Sequence, residues 1–225
     1  SENFDYVRKL TAIRSNIFGI DIQPIAAEIA KLRCFLTLVV EQDVHAHEPN
    51  RGVHILPNLE FKFVTANTLL PLSESEGLFG DEIELIEKIQ EIRSKYFATE
   101  SSKSKEALHQ KFVKLIRDQK TSLWESSRLE QIKSFRPFDS ESSAGFFEPE
   151  FMFGVREFDV IVGNPPYIDS QVMVKTMEPY RNQLRQHYTS TTGNWDLFVV
   201  FLEKSMDLLK SNGVMSMIVK NQLIG

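Results

Sequence analysis

The sequence from 158 to 167 reads Phe-Asp-Val-Ile-Val-Gly-Asn-Pro-Pro-Tyr. Residues 158–163 form a short, almost continuously apolar run, which is typical of a strand buried in a parallel sheet. The next four residues predict a stiff loop, because two consecutive prolines fix φ and remove two backbone N–H donors. We therefore predict a buried strand followed by a rigid loop that presents Asn164 and Tyr167.

The sequence on either side of this stretch alternates between strand and helix patterns. Residues 17–22 and 61–67 are rich in strand formers, and residues 25–40 between them carry apolar side chains at helical spacing. Downstream, the pattern predicts a helix over 196–210 and a strand over 214–219. Such alternation predicts an α/β fold with a doubly wound, mostly parallel sheet.

The chain divides into three predicted regions. Residues 1–72 and 151–225 have the α/β pattern, whereas residues 73–150 show two long amphipathic helices separated by a polar turn. We interpret the middle region as a helical hairpin inserted into the α/β domain. Ligands in doubly wound sheets bind at the carboxyl ends of the strands, and Asp21, Asn67 and Asn164 each lie at or just after such an end.

The composition of the chain bears on its redox compartment, on membrane insertion and on nucleic-acid binding. The single cysteine, Cys34, cannot form an internal disulfide, which fits a reducing cytoplasm. No apolar run approaches the roughly 20 residues of a membrane helix. The net charge of −5 argues mildly against nucleic-acid binding, although the distribution of charge matters more than its sum. His45 and His47 are predicted to lie on a solvated surface, and we expect no metal site.

The loop of residues 164–167, here called the Asn-Pro-Pro-Tyr loop, suits one chemical task. Its carbonyl oxygens and the Asn164 side-chain oxygen can accept both protons of an exocyclic NH₂ group, while Tyr167 stacks on the ring that carries it. Accepting both protons favours a tetrahedral nitrogen with a localised lone pair. That nitrogen can attack a sulfonium methyl group in line, with fixed dipoles stabilising the developing positive charge.

Residues 158–168 resemble the catalytic motif of amino-group N-methyltransferases, in particular the adenine-specific DNA methyltransferases of type IIG restriction–modification and related defence systems. The similarity extends to three other segments. Residues 18–22 with 26–33 resemble the second cofactor motif of that family, residues 63–70 resemble its next motif, and residues 194–213 resemble the helix and strand after its catalytic loop.

The resemblance implies a class I methyltransferase core of Rossmann-like fold that uses S-adenosylmethionine. Residues 1–72 would form its cofactor side and residues 151–225 its catalytic side. The substrate would be the N6 amino group of an adenine flipped out of double-stranded DNA. The catalytic residues would be Asn164, Pro165, Pro166 and Tyr167.

The resemblance also implies a set of cofactor contacts. Asp21 would bind the ribose hydroxyls, Ile22 would pack on the cofactor adenine, and Asn67 would contact the adenine amino group, with Thr68 beside it. Plainer interpretations stay open, because Asp21 suits a helix cap and Asn67 a turn. We interpret Asp196 simply as an acidic residue at the start of a helix.

The sequence departs from the family in one respect. The family opens with a glycine-rich loop after its first strand, but this chain has ten glycines and no Gly-x-Gly. We therefore expect an incomplete core. The glycine-rich strand and loop, at the N-terminal side, and a target-recognition domain, at the C-terminal side, are expected to be supplied by the parent protein.

Two other functions fit parts of the pattern. Glutamine methyltransferases that act on translation release factors share an Asn-Pro-Pro-Tyr loop, because a glutamine amide also presents an NH₂ group. A degenerate subunit that only holds DNA or a partner protein would explain the lack of a glycine-rich loop. No paired acids with a lysine indicate a nuclease site.

Overall fold

The computed structural model describes residues 4–42, 45, 47–53, 58–73, 79–99, 101–119 and 126–220. The chain forms two compact units, Ser1–Gly154 and Val155–Gly225. Each unit contains one pair of parallel strands. The protein is therefore a mixed α/β chain with small parallel sheets, as the sequence predicted at the level of class.

The first unit begins with a helix, which a strand–helix–strand arrangement follows. Its elements are helix α1 (Phe4–Ser15), strand β1 (Gly19–Asp21), helix α2 (Pro24–Val39), a short 3₁₀ helix (Pro49–Gly52) and strand β2 (Phe63–Thr65). β1 and β2 pair in parallel, with Gly19 opposite Phe63 and Asp21 opposite Thr65. Pro24 opens α2, where its missing N–H has no helical partner to lose.

Helix α2 buries the face opposite to its most apolar stripe. Ala27 and Leu38 are buried, and Leu38 belongs to a core cluster with Ile13, Leu59 and Phe63. Four of the five residues whose spacing predicted the helix are instead half exposed or more, namely Ile25 (63%), Ile29 (50%), Leu32 (53%) and Leu36 (50%), whereas Val39 is partly buried. The reason is geometric, because α2 contacts both β1 and β2 and these strands meet only its other face.

The region between β2 and the second unit is helical. It contains α3 (Phe79–Ala98), α4 (Ser102–Arg117), α5 (Ser126–Ser134) and α6 (Pro149–Phe153). The two long helices that the sequence predicted correspond to α3 and α4, which pack against each other. Ser101 caps α4 by accepting a hydrogen bond from the Ser104 N–H at 3.4 Å, which ends the polar turn between them.

Phe61 joins these helices to the strand pair. Its side chain is fully buried and lies two residues before β2. Five aromatic rings surround it at centroid distances of 5.3 to 6.5 Å, namely Tyr96, Phe97, Phe112, Phe135 and Phe138. Four of the five pairs are edge-to-face, the arrangement that aromatic quadrupoles prefer. Helices α3 and α4 and the strand pair therefore share one aromatic core.

Lys62 follows Phe61 and is also buried. Only 5% of its surface is exposed, and its ammonium lies 3.7 Å from the centroid of the Phe18 ring and 5.5 Å from that of Phe97. Burial, with a smaller contribution from the positive charge of Arg93, lowers the pKa of Lys62 to about 8. A cation–π contact partly offsets the lost hydration but does not restore the usual pKa.

The depressed pKa predicts a pH dependence of stability. Above pH 8 the folded chain releases this proton while the unfolded chain, with its pKa of 10.5, still holds it. The free energy of unfolding should therefore rise as the pH is raised from about 8 to about 10. Urea unfolding across this range should show the rise in the wild type and lose it in Lys62→Met. The exposed Lys103→Met is the control, and equal pH slopes in the wild type and Lys62→Met would refute the prediction.

The second unit carries the other strand pair. Its elements are β3 (Phe158–Gly163), α7 (Ser170–Thr176), α8 (Glu178–Leu184), α9 (Leu197–Asp207) and β4 (Leu209–Met217). β3 and β4 pair in parallel, with Val160 opposite Val214 and Gly163 opposite Met217. α9 packs against β4.

β4 begins earlier than the sequence predicted. The pattern placed residues 196–210 in a helix, but α9 ends at Asp207 and β4 starts at Leu209. The Phe158 N–H donates to the Leu208 carbonyl at 2.8 Å, so the chain already pairs with β3 at Leu208. A register shift between Phe158 and Val160 and the positive φ of Asn212 (67°) accommodate the extra length.

The strand predicted to be buried is covered on one face. Ile161 is half-buried, whereas Val160 and Val162 are 61% and 77% exposed and Val214 of β4 is 61% exposed. The run is apolar on both faces, and the described helix that packs on this pair covers a single face. None of the described helices is long and apolar enough to cross a membrane.

Candidate catalytic loop and cofactor edge

The predicted cofactor residues lie where strands β1 and β2 end. The Ala66 N–H donates to the Asp21 carbonyl at 2.9 Å, which continues the pairing beyond β2. The Asn67 N–H then donates to the Ala144 carbonyl, and the Ala144 N–H donates to the Thr65 carbonyl, both at 2.9 Å. Asp21 and Ile22 therefore follow β1, and Asn67 and Thr68 follow β2, at the same carboxyl edge.

Asp21 presents a carboxylate that is only partly used. Its Oδ1 accepts the Gln23 N–H at 2.8 Å, which fixes the turn into α2. Among the residues that the structure describes, its Oδ2 accepts no hydrogen bond, and the residue is exposed. Ile22 beside it is 59% exposed. An open carboxylate oxygen next to an exposed aliphatic side chain suits a ligand with hydroxyl groups and an apolar ring.

Asn67 stabilises a turn, which is one of the two roles that the sequence left open. Its Oδ1 accepts the Leu69 N–H at 3.2 Å, so the carboxamide caps the turn after β2. Asn67 and Thr68 are both half-buried.

The Asn-Pro-Pro-Tyr loop is anchored to the end of β4. The Ile218 N–H donates to the Gly163 carbonyl at 3.0 Å, and the Tyr167 hydroxyl donates to the Ile218 carbonyl at 3.0 Å. Pro165 is buried, whereas Asn164 and Pro166 are exposed and Tyr167 is 47% exposed. The hydroxyl bond holds one edge of the tyrosine ring while leaving much of the ring in contact with solvent.

Asp196 has a role that the sequence interpretation missed. It occupies the N-cap position of α9 but makes no side-chain hydrogen bond to its own helix. Its Oδ1 accepts the Ser170 N–H at 2.9 Å, and its Oδ2 lies 3.5 Å from the Lys220 ammonium. The simple helix-start interpretation was therefore incomplete. Only the similarity of residues 194–198 to a family segment pointed to this position.

Arg181 is the second residue that the sequence did not single out. This arginine of α8 is only 3% exposed. Its guanidinium donates to the carbonyls of Gly193 (3.0 Å) and Trp195 (3.3 Å) and lies 4.2 Å from the centroid of the Trp195 ring. Trp195 is buried as well.

The predicted site residues thus form two groups, one in each unit. Asp21, Ile22, Asn67 and Thr68 share the carboxyl edge of the β1–β2 pair, and residues 164–167 follow β3. In both groups, hydrogen bonds fix the backbone, and polar or ring atoms of the side chains are exposed.

Comparison with known proteins gives a consistent family. The family model described as "Eco57I restriction-modification methylase" matches residues 15–225. One similar protein is the "Putative type II restriction enzyme and methyltransferase RM.MjaORFECS2P" of Methanocaldococcus jannaschii. It is 26% identical over an alignment of 280 residues, and this alignment covers 95% of this chain and 22% of that protein.

Two shorter matches agree with it. The "Type II restriction enzyme and methyltransferase RM.Eco57I" of Escherichia coli is 32% identical over 68 residues, 30% of this chain and 7% of that protein. The "Adenine-specific methyltransferase PglX" of Lacticaseibacillus casei is 35% identical over 66 residues, 29% of this chain and 5% of that protein.

The chain therefore spans 22% or less of the length of these relatives. No solved structure matches it. Because the family model covers nearly the whole sequence, the chain belongs to the Eco57I restriction-modification methylase family.

Proposed function

We propose that this chain carries the catalytic core of an S-adenosylmethionine-dependent methyltransferase that methylates the N6 amino group of adenine in DNA, as part of a restriction–modification or related defence enzyme. The observation that supports this most directly is the Asn-Pro-Pro-Tyr loop. The loop is fixed at both ends of its backbone, yet the Asn164 side chain is exposed and has no hydrogen bond to any residue that the structure describes. An acceptor held ready in this way suits an amino group.

The residues of the loop have separate roles in this proposal. The Asn164 oxygen and the loop carbonyls accept the two amino protons and so localise the lone pair of the nitrogen. Pro165 and Pro166 keep those acceptors in place, since neither contributes a competing N–H donor. Tyr167, held by its hydroxyl on Ile218, offers a ring on which the flipped base stacks.

The carboxyl edge of the β1–β2 pair fits the cofactor. The open Oδ2 of Asp21 can accept hydrogen bonds from ribose hydroxyls, and Ile22 can pack on an adenine ring. Asn67 and Thr68 would line the same edge. S-adenosylmethionine, when bound, supplies an electrophilic methyl group. The residues of this edge only bind and orient it.

We propose a doubly wound, Rossmann-like methyltransferase fold for this core. Both described strand pairs are parallel, and helices connect the strands of each pair, as that fold requires. In this proposal residues 1–72 form the cofactor side, residues 73–150 a helical insertion and residues 151–225 the catalytic side.

Double-stranded DNA is the proposed partner, with the target adenine flipped out of the helix. The adenine specificity in the name of the relative from Lacticaseibacillus casei supports this choice of base. The net charge of −5 suggests that other parts of the full-length protein make most of the phosphate contacts.

The test is a direct comparison of substrates. The full-length protein is incubated with methyl-labelled S-adenosylmethionine and offered genomic DNA and a release-factor protein side by side. We expect label on adenine N6 of the DNA and none on the protein. Label on a glutamine of the release factor would assign the enzyme to the protein-methylating class. No label on either substrate would favour a non-catalytic DNA-binding subunit.

A further inference from the structure

We propose that Asp196 and Arg181 together position the Asn-Pro-Pro-Tyr loop for methyl transfer. This inference rests on the proposed function and concerns the same site. Neither residue is proposed to touch the substrate, so both are positioning residues. The argument depends only on contacts within the second unit.

Asp196 fixes the segment that follows the loop. Its carboxylate accepts the Ser170 N–H at 2.9 Å, and the adjacent Leu197 N–H donates to the Ile168 carbonyl at 2.9 Å. These two bonds join the start of α9 to the residues immediately after Tyr167. A hydrogen bond to a charged acceptor is stronger than one between neutral groups, so the Asp196 bond is the more important of the two.

Lys220 fixes Asp196 from another direction. Its ammonium lies 3.5 Å from Oδ2 of Asp196, and the two side chains are 29% and 22% exposed. Lys220 lies just beyond Ile218, whose carbonyl holds the Tyr167 hydroxyl. Asp196 therefore connects the two segments that hold the loop, one on each side of it.

Arg181 holds the backbone directly before Asp196. Within the part of the chain that the structure describes, this buried guanidinium has no carboxylate partner and instead donates to the carbonyls of Gly193 and Trp195. Burying a charge is costly unless it is hydrogen-bonded, and here both Nη atoms make such bonds whereas Nε has no partner among the described residues. The guanidinium carbon also lies 4.2 Å from the centroid of the Trp195 ring, and a lysine would not supply the rigid fork of donors that reaches both carbonyls.

The other end of the same segment is also fixed. Glu203 of α9 accepts the N–H groups of Thr189 and Ser190, each at 2.8 Å. The segment from Thr189 to Trp195 is thus held by Glu203 at one end and Arg181 at the other. Asp196 extends from a rigid backbone, which makes its bond to Ser170 effective in fixing the loop.

The proposal predicts a loss in kcat with little change in binding of the cofactor. A misplacement of about 1 Å in a reacting group lowers the rate by about 100-fold. We expect Asp196→Ala in the full-length protein to reduce kcat for DNA methylation by about 10- to 100-fold. The KM for S-adenosylmethionine should stay within about twofold, because the proposed cofactor residues belong to the first unit.

The conservative variant separates positioning from folding. Asp196→Asn keeps an Oδ1 that can accept the Ser170 N–H, so it should recover a large part of the lost kcat. Arg181→Lys should lower kcat in the same direction as Asp196→Ala. Asp207→Ala removes an exposed acid at the other end of α9 and is the matched control, expected to behave as the wild type. Hydrogen exchange at the Ser170 amide should be faster in Asp196→Ala than in this control.

The outcomes distinguish this inference from the proposed function. An active wild type in which Asp196→Ala equals Asp207→Ala would overturn the positioning role alone. The same conclusion would follow if hydrogen exchange at the Ser170 amide were equally fast in Asp196→Ala and Asp207→Ala. A wild type that transfers no methyl group to DNA would overturn the proposed function and the positioning role with it.

Discussion

Replacing Asn164 by alanine is expected to lower kcat for adenine methylation by about 10²- to 10³-fold, the effect of removing one fixed polar group from a reacting centre. The Asn164 side chain is exposed and makes no hydrogen bond within the described residues, so its loss leaves no local structure unsupported. In the proposed mechanism the substitution removes an acceptor for an amino proton of the base. It therefore acts on the transition state more than on folding.

The measurement is steady-state kinetics of the full-length protein with DNA and S-adenosylmethionine. The KM for the cofactor should change little, and Asn164→Asp should retain part of the activity because a carboxylate oxygen also accepts the amino proton. Asn182→Ala, an exposed asparagine of α8, is the matched control. An alanine variant within about threefold of the wild type would remove Asn164 from the catalytic machinery.

Replacing Phe61 by alanine should have the largest effect on stability. The ring is fully buried among five other aromatic rings, so its loss opens a cavity that the neighbouring helices cannot easily close. Removing a buried phenylalanine typically costs about 3–5 kcal/mol. We expect a loss of that size in the free energy of unfolding of the first unit.

Urea unfolding of the 225-residue chain, followed by circular dichroism, measures this effect. The signal comes largely from the first unit, because the three longest described helices, α2, α3 and α4, belong to it. Phe4→Ala is the control, since that ring is 76% exposed and its removal should cost about 0.5 kcal/mol or less. A loss below about 1.5 kcal/mol for Phe61→Ala would show that the aromatic cluster repacks around the gap.

Local sequence patterns were sufficient to predict some elements of each unit. The apolar run before Asn164 predicted β3, and the apolar spacing of residues 25–40 predicted α2. Both predictions depend on residues close together in the sequence, where backbone preference and side-chain periodicity act directly. The loop itself was recognisable because two prolines restrict its backbone whatever surrounds it.

The parts that sequence did not predict depend on distant contacts. Asp196 was expected only to begin a helix, since nothing near it in the sequence indicates that its partner is the Ser170 backbone. Arg181 lies on α8, and its burial follows from carbonyls that a later segment brings to it. The apolar stripe of α2 predicted the helix correctly, but which face of α2 is buried depends on where the strands lie.

The strand pairing also bears on how the chain folds during synthesis. Gly19 pairs with Phe63, and Phe158 pairs with Leu209, so each parallel pair closes within its own stretch of polypeptide. Contacts between residues near in sequence need less loop closure and form faster. The residues of the N-terminal pair are therefore synthesised before those of the second pair. A nascent chain of this topology can acquire its aromatic core first and its Asn-Pro-Pro-Tyr loop last.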